Sequence, residues 1–133
     1  MSRRWGLPVR YVQNVTWSEA CDPRPIRKSS GVGPAILTMK VEERVPARWH
    51  AIPAISAPAV GAAVGFDVTA TYPVSVTQRT TIPDGRLRVV AAHPLYDVAT
   101  FEVWYRSWLG AARPLGEGTA ARPAGLCFVV YEY

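Results

Sequence analysis

The sequence predicts an all-β protein, a small antiparallel β-barrel or β-sandwich with a long extended N-terminal arm. In residues 66–77 every even position is apolar and every odd position is polar or proline, which is the period of a half-buried strand. Other apolar, strand-like runs alternate with Gly- and Pro-rich connections, and almost no segment has helical character. A chain of 133 residues fits one domain with one core.

The N-terminal third is basic and rich in proline. Residues 1–48 carry nine Lys or Arg against four acids, whereas residues 49–133 carry six of each. Residues 7–17 predict a first strand with a bulge or bend near Asn14. Three prolines and two glycines in residues 21–34 predict an irregular extended segment. We therefore divide the chain into a basic, Pro-rich arm at residues 1–34 and a β core at residues 35–133.

The first part of the core holds one strand and one ambiguous segment. Residues 35–45 predict a strand with Leu37, Met39 and Val41 on one face. Residues 50–65 are small and apolar and contain two prolines. A helix at residues 57–64 is one alternative, but Pro58, Gly61 and Gly65 weaken it, so an extended crossing is preferred. That crossing is either a self-association surface or a loop buried over the core.

The second part of the core is expected to consist of returning strands. Residues 81–86, Thr-Ile-Pro-Asp-Gly-Arg, predict a tight turn and a hairpin, because Pro presets φ and Gly accepts a positive φ. The return strand should end at His93 and Pro94. Residues 96–109 predict a long strand with two partly apolar faces, residues 110–125 a Gly- and Pro-rich loop, and residues 126–133 a final strand.

The cysteines predict neither a metal site nor a cofactor. Cys21 and Cys127 have no Cys-x-x-Cys spacing and no neighbouring histidine. No signal peptide is recognised, so synthesis in a cytoplasm is expected, and thiols there stay reduced, which argues against a Cys21–Cys127 disulfide. No run of about eighteen apolar residues exists that could cross a bilayer as a helix, so no membrane partner is expected.

The sequence predicts no catalytic residue. His50 and His93 stand outside any metal-ligand spacing, and the chain has neither a nucleophile elbow nor a phosphate-binding glycine loop. The acidic residues of the core are dispersed along it. A non-enzymatic protein is therefore favoured, with an enzyme of unrecognised site as the last alternative.

Arginine and tryptophan mark the candidate interaction residues. Thirteen of the fifteen basic residues are Arg, which favours planar, bidentate pairing at interfaces or phosphates. Two indoles and a guanidinium alternate on one face of the strand at residues 96–109, a composition that suits a protein interface or a platform for stacking single-stranded bases. The candidate interface or nucleic-acid-binding residues are Arg3, Arg4, Arg24, Arg27, Lys28, Trp104, Arg106, Trp108 and Arg113.

Residues 76–90 and 94–101 form a basic strand, a turn, a second strand and a Tyr-Asp-Val strand. In this order they resemble the core of the small β-barrel head–tail joining (stopper) proteins of tailed bacteriophages. The resemblance implies a non-enzymatic virion structural protein, made in the host cytoplasm and located in the virion. A head–tail connector, a capsid decoration or a capsid subunit would each fit.

Such a protein is expected to form a homo-oligomer and to contact other virion proteins through its arm, residues 50–65 and residues 104–113. Contact of the basic arm with packaged nucleic acid is a further expectation. The alternative is a single-stranded nucleic-acid-binding β-barrel, with Trp104, Arg106 and Trp108 as its binding residues.

Overall fold

The computed structural model of the chain describes residues 8–133. Its elements, in chain order, are β1 (Val9–Cys21), β2 (Arg27–Val32), β3 (Ala35–Pro46), β4 (Arg48–Ile52), α1 (Ala57–Val64), β5 (Thr71–Ile82), β6 (Leu87–Arg106) and β7 (Ala112–Glu132). One sheet has the order β1-β6-β7-β4, with β2 also pairing with β6, and a second sheet pairs β3 with β5. The predominantly β, antiparallel class is confirmed, and neither sheet closes into a barrel.

Contacts divide the described chain into two compact units that share the three longest strands. The first unit contains the described residues up to Ser18, then Pro46–Ala70 and Asp97–Arg122. The second contains Glu19–Val45, Thr71–Tyr96 and Pro123–Tyr133. The boundary between an arm at residues 1–34 and a β core at residues 35–133 stays a prediction; β1 and β2, which precede it, both pair within the larger sheet.

The second unit has a compact apolar core. Met39 and Val41 of β3 are buried with Val90 and Ala92 of β6, and side chains of β7 pack against them. The prediction that Met39 and Val41 share the inner face of their strand is therefore confirmed. The alternation of the return strand also predicts that Leu87 faces inward, but Leu87 is 38% exposed.

The segment at residues 21–34 is more regular than predicted. Its β2 strand pairs antiparallel with β6, from Arg27 opposite Ala92 to Val32 opposite Leu87. Glycine is needed just after this strand, because a Cβ on Gly33 would overlap the backbone carbonyl oxygen of Pro83. The glycine that suggested an irregular segment is therefore required by a close contact.

Residues 57–64 form a helix, which corrects the expected extended crossing. The Oγ of Ser56 accepts a hydrogen bond from the backbone N–H of Ala59 at 3.3 Å and caps the N-terminus. Pro58 lies in the first turn, where its missing N–H leaves no helical bond unmade. Gly65 ends the helix with a φ of 87°, a left-handed conformation that favours glycine. Pro58 and Gly65 thus stand at the two ends of the helix, and only Gly61 lies in its interior.

For residues 66–77 the predicted burial is correct, but the predicted strand is only partly present. Phe66 and Val68 are buried whereas Asp67 and Thr69 are exposed, so the period of two begins as predicted. The strand itself begins only at Thr71, because Asp67 Oδ1 accepts hydrogen bonds from the Thr69 backbone N–H at 2.9 Å and hydroxyl at 2.7 Å. These bonds form a local turn before β5.

The turn at residues 83–86 is confirmed, but the hairpin around it is wrong. The N–H of Arg86 donates to the carbonyl of Pro83 at 3.2 Å, and Gly85 has a φ of 74°. The strands on either side of this turn, β5 and β6, nevertheless belong to different sheets.

Two predicted interruptions are absent from the long strands. At Pro94 the β6 strand continues, since the proline carbonyl accepts a hydrogen bond from the N–H of Asp22 at 2.8 Å. The expected loop at residues 110–125 is mostly part of β7. Its glycines allow close approach, because a Cβ on Gly118 would lie 2.7 Å from the carbonyl oxygen of His50 on the neighbouring β4.

The structure also corrects the expectation of two free thiols. Cys21, at the end of β1, forms a disulfide with Cys127 of β7. Their Cα atoms lie 6.1 Å apart, within the usual range for a disulfide. The sequence separation of 106 residues conceals this proximity, which depends on how the long strands fold back.

Candidate functional site

The connection between β6 and β7 exposes two large apolar side chains. The N–H of Ser107 donates to the carbonyl of Ala111 at 2.8 Å, and Gly110 adopts a φ of 91°, so the chain reverses tightly. Trp108 is 54% exposed and Leu109 is 69% exposed. We call Trp108 and Leu109 the hairpin tip. Burial of two such side chains against a partner would remove a substantial apolar area from water.

Two arginines flank the hairpin tip, and each lies on a tyrosine ring. The guanidinium carbon of Arg106 is 5.0 Å from the centre of the Tyr11 ring. That of Arg113 is 5.6 Å from the centre of the Tyr105 ring. Stacking on an aromatic face is favourable and leaves the N–H groups at the edge of a guanidinium available to oxygen acceptors. Neither arginine forms an ion pair with a described residue. The tip is therefore an apolar point with positive charge beside it.

The first unit also contains an apolar groove beside α1, with a volume of about 580 Å³. We call it the α1 groove. Its walls include Ala57, Pro58, Gly61, Ala62, Phe66 and Asp67. The helix contributes only small side chains here, because its larger ones, Val60 and Val64, point into the core and are buried. The small residues that face outward leave the groove open.

Asp67 places a negative charge at this groove. Its carboxyl group is exposed, and the hydrogen bonds from the Thr69 hydroxyl and backbone N–H hold its pKa below the ordinary value of 3.8. The carboxylate is thus ionised at neutral pH. The groove therefore combines apolar walls with one fixed negative group.

Aromatic and charged contacts hold Phe66, which lines the groove. Its ring centre lies 6.4 Å from that of Trp17, and the guanidinium carbon of Arg122 is 5.4 Å from the Phe66 ring centre. Arg122 also lies 3.6 Å from a carboxylate oxygen of Asp97. These contacts connect Phe66 to residues of β1, β6 and β7.

The structure separates the predicted interaction residues into groups. Arg3 and Arg4 lie outside the described residues. Arg24, Arg27 and Lys28 belong to the second unit, where Arg27 forms an ion pair with Glu43 at 3.1 Å. The remaining four belong to the first unit, and only Arg106, Trp108 and Arg113 lie at or beside the hairpin turn.

The expected stacking face of alternating Trp, Arg and Trp is not continuous. Trp104 is only partly exposed, and its indole Nε1 is buried with no hydrogen-bond acceptor among the described residues. The β6 strand ends at Arg106, so Trp108 belongs to the turn. Trp108 is therefore the indole of this group that is most accessible to a partner.

Sequence reasoning missed the α1 groove because it preferred an extended crossing to the alternative of a helix at residues 57–64. Three local signals could have identified the helix: Ser56 before it, Pro58 in its first turn and Gly65 after it. Their spacing matches a helix of eight residues. The groove residues between these signals were instead interpreted as part of an extended crossing, either a self-association surface or a loop buried over the core.

The histidines and acidic residues do not assemble into a metal site in the part of the chain that the structure describes. No group of three His, Cys, Asp or Glu residues is arranged to hold an ion there. His93 Nδ1 lies 2.8 Å from the carbonyl oxygen of Asp22, to which it donates, because a carbonyl can only accept. Within residues 8–133, no helix is both long and apolar enough to traverse a bilayer.

Comparison of the sequence with protein-family models and with curated proteins gave no match. Functional inference therefore depends on the hairpin tip, the α1 groove and the charges beside them.

Proposed function

We propose that the chain is a non-enzymatic virion structural protein of a tailed bacteriophage, a β-sandwich subunit that assembles with copies of itself and with other virion proteins. The observation that carries this proposal is the hairpin tip, where Trp108 and Leu109 stand exposed next to Arg106 and Arg113. Trp and Arg are the residue types most enriched among the side chains that dominate protein–protein binding energy. A subunit of an assembly can bury these exposed apolar side chains against a partner, whereas in a monomer they stay in contact with water.

Other exposed apolar side chains support an assembling subunit. Thirteen large hydrophobic residues of the described chain are exposed, among them Val129, Val130, Tyr131 and Tyr133 at the end of β7. Scattered single apolar residues are ordinary on protein surfaces, but this cluster lies on one strand end. Apolar clusters of this kind mark contacts with partners.

Open strand edges offer a second type of contact. In the larger sheet β4 pairs with β7 on one side and stands at the end of the strand order. Among the strands of residues 8–133 none pairs with its other side, whose backbone N–H and C=O groups another strand could bind. The β1 strand at the opposite edge is interrupted at Asn14, whose φ of 56° breaks the extended backbone. Strand addition is therefore more favourable at β4 than at β1.

The virion context comes from the resemblance to head–tail joining proteins. The segments that carry it, residues 76–90 and 94–101, correspond to the second part of β5, the turn at residues 83–86 and most of β6 up to Phe101. A head–tail connector, a capsid decoration and a capsid subunit all need repeated contacts between identical chains. The basic side chains of Arg24, Arg27 and Lys28 are exposed in the second unit, and these are the described arm residues that we propose for contact with packaged nucleic acid.

Single-stranded nucleic-acid binding is the second candidate function. The observation that favours it is the exposed indole of Trp108 next to the guanidinium groups of Arg106 and Arg113. One exposed indole with two cations can stack one base and contact its phosphates. A site of this size would bind weakly and lose affinity as salt concentration rises.

The decisive experiment is the molar mass of the purified chain by light scattering, over a range of protein concentrations and at low and high salt. Assembly predicts a mass that increases with concentration to a defined multiple of the 14.6 kDa chain. A monomer under every condition would overturn the proposal. A labelled oligothymidine titration of the same samples tests the second candidate, which requires binding that Trp108→Ala abolishes while Ile36→Ala, a change of another exposed apolar residue, leaves it intact.

A further inference from the structure

We infer that copies of the chain exchange their N-terminal arms, so that β1 and β2 of one copy pair with β6 of a second copy. Cys21 of the exchanged arm then forms its disulfide with Cys127 of that second copy. The inference rests on the proposed self-assembly and identifies the segment that passes between copies. Its occupant for the edge of β6 is the one that the structure shows there, since the arm already fills this edge within one chain.

The described part of the arm, residues 8–34, contributes no buried apolar side chain. All the buried hydrophobic residues of the described chain come after it, beginning with Met39. Four large apolar residues of the arm, Val9, Trp17, Ile26 and Val32, are at least 36% exposed. Segments with few buried apolar contacts open at a lower free-energy cost than the core does. Detachment of the described arm therefore removes no buried side chain from the apolar core.

Backbone hydrogen bonds and exposed side-chain contacts hold the arm on β6. The N–H of Ile26 donates to the carbonyl of Ala92 at 2.8 Å, and β2 pairs with β6 along its whole length. The ion pair between Arg27 and Glu43 is exposed on both sides. A second copy presents the same partners in the same arrangement. Exchange therefore remakes these contacts between copies and needs no new surface.

A short connection joins the arm to the core. Only Gly33 and Pro34 stand between β2 and β3. Cys21 precedes this connection and Cys127 follows it, so rotation here moves β1, β2 and Cys21 away from the strand that carries Cys127. Short connections of this kind favour the exchange of a segment between copies over its return to the same chain.

The disulfide controls when the arm exchanges. Closed within one chain, it ties the arm covalently to β7, and the arm cannot leave. Small reagents have access to the bond, since Cys21 is exposed and Cys127 is only partly buried. A reducing environment keeps the two thiols free, so that non-covalent contacts alone hold the arm. Oxidation after exchange then fixes the arm on the second copy.

Oxidised glutathione is the reagent that closes the bond in the test. The Cys21 thiolate attacks one of its sulfurs, which gives a mixed disulfide and releases one glutathione thiolate. The Cys127 thiolate of the copy that holds the arm attacks the Cys21 sulfur, forms the new disulfide and releases the second glutathione. The two electrons lost by the cysteines thus reduce oxidised glutathione, and the two cysteine protons end on the two glutathione thiols.

Isotope labelling of the unmodified chain measures the exchange. Equal amounts of unlabelled and isotopically labelled protein are reduced, concentrated until light scattering shows assembly, and oxidised. Mass spectrometry of the peptides linked through Cys21 and Cys127 separates pairs from one isotope and hybrid pairs from two chains. Complete exchange predicts that about half of the linked pairs are hybrid, because each arm meets either kind of core with equal chance. Oxidation at high dilution is the control, and there hybrid pairs should almost disappear, since the arm returns to its own chain.

The outcomes separate the exchange from the proposed function. A chain that stays monomeric at every concentration overturns both. An assembled chain without hybrid pairs overturns the exchange and leaves self-assembly in place. Links of Cys21 to Cys21 and of Cys127 to Cys127 in the same yield as hybrid pairs would indicate random collision, and they would overturn the exchange as well.

Two single-cysteine variants provide a second test. Cys127→Ser keeps only the arm thiol and Cys21→Ser keeps only the core thiol, so neither closes a disulfide within its own chain. Their mixture, assembled and oxidised, is expected to give many-fold more linked dimer than a matched control. In the control, Cys127→Ser is replaced by the variant Cys21→Ser, Cys127→Ser, Thr77→Cys, whose one thiol stands at an exposed position of β5. Circular dichroism of the reduced samples verifies their folds, and equal yields of linked dimer would overturn the exchange.

Discussion

The Cys21–Cys127 disulfide joins the end of β1 to the second half of β7, two segments separated by 106 residues of sequence. Both cysteines belong to the second unit, whose core includes Leu126 and Phe128 on either side of Cys127. The bond therefore ties the end of β1 to a strand that packs against this core.

Reduction of this disulfide is expected to destabilise the protein. Opening so long a loop restores conformational freedom to the unfolded chain, and a loss of roughly 2–4 kcal/mol in the free energy of unfolding is expected. Urea unfolding with and without a reductant measures it. The Cys21→Ser, Cys127→Ser double variant is the control. Its free energy of unfolding should equal that of the reduced wild type and should not change when the reductant is added. Two free thiols in the untreated protein would contradict the bond.

Gly118 and Gly125, both in β7, are expected to respond oppositely to alanine. A Cβ on Gly118 would lie 2.5 Å from the ring of the buried Phe101, so Gly118→Ala should cost about 1–3 kcal/mol of unfolding free energy. A Cβ on Gly125 meets only a Leu95 methyl carbon, at 3.9 Å, so Gly125→Ala should be neutral or slightly stabilising. Urea unfolding of both variants provides the comparison, and equal midpoints would refute the packing argument.

The sequence predicted the fold best where a local pattern reports burial directly. Alternation at residues 66–77 correctly assigned the buried and exposed positions, because a side chain's polarity reflects the surface on which it lies. The alternation could not locate the start of β5, because the turn that begins at Asp67 keeps the same order of polar and apolar side chains. The polarity of the side chains therefore predicted which of them are buried better than it predicted the backbone conformation.

Glycine and proline were the main source of error, because their meaning depends on tertiary context. Pro94 lies within a strand and Gly118 within a sheet contact, although both were interpreted as breaks. Pro58 and Gly65 stand at helix ends, where they favour the helix instead of interrupting it. Of the candidate site, the exposed Trp108 with its arginines was predicted from composition. The α1 groove was not predicted, because residues of the helix α1 form part of its wall.

The cap of α1 is expected to contribute measurably to stability. Ser56→Ala removes the acceptor for the Ala59 N–H and should lower the free energy of unfolding by about 1 kcal/mol, as for other N-caps. Ser56→Asp keeps a side-chain acceptor and should retain most of the stability. Chemical denaturation of the two variants distinguishes them, and a Ser56→Asp protein as unstable as Ser56→Ala would argue against the cap.

The Asp67 carboxylate is expected to give the protein a stability that depends on pH. Hydrogen bonds from Thr69 lower its pKa in the folded state, so the ionised form is favoured by folding. The resulting stability is present above the ordinary value of 3.8 and is lost as the pH falls through the lowered folded value. Thr69→Val removes the hydrogen bond from the Thr69 hydroxyl, so it should reduce the free energy of unfolding at neutral pH by an amount that disappears in acid.

Thermal unfolding of wild type and Thr69→Val from about pH 7 to pH 2 measures this difference. Thr77→Val, at an exposed threonine of β5, is the control, and its difference from wild type should not change with pH. If the Thr69→Val difference were equally constant, Asp67 would not draw its stability from the ionised carboxylate.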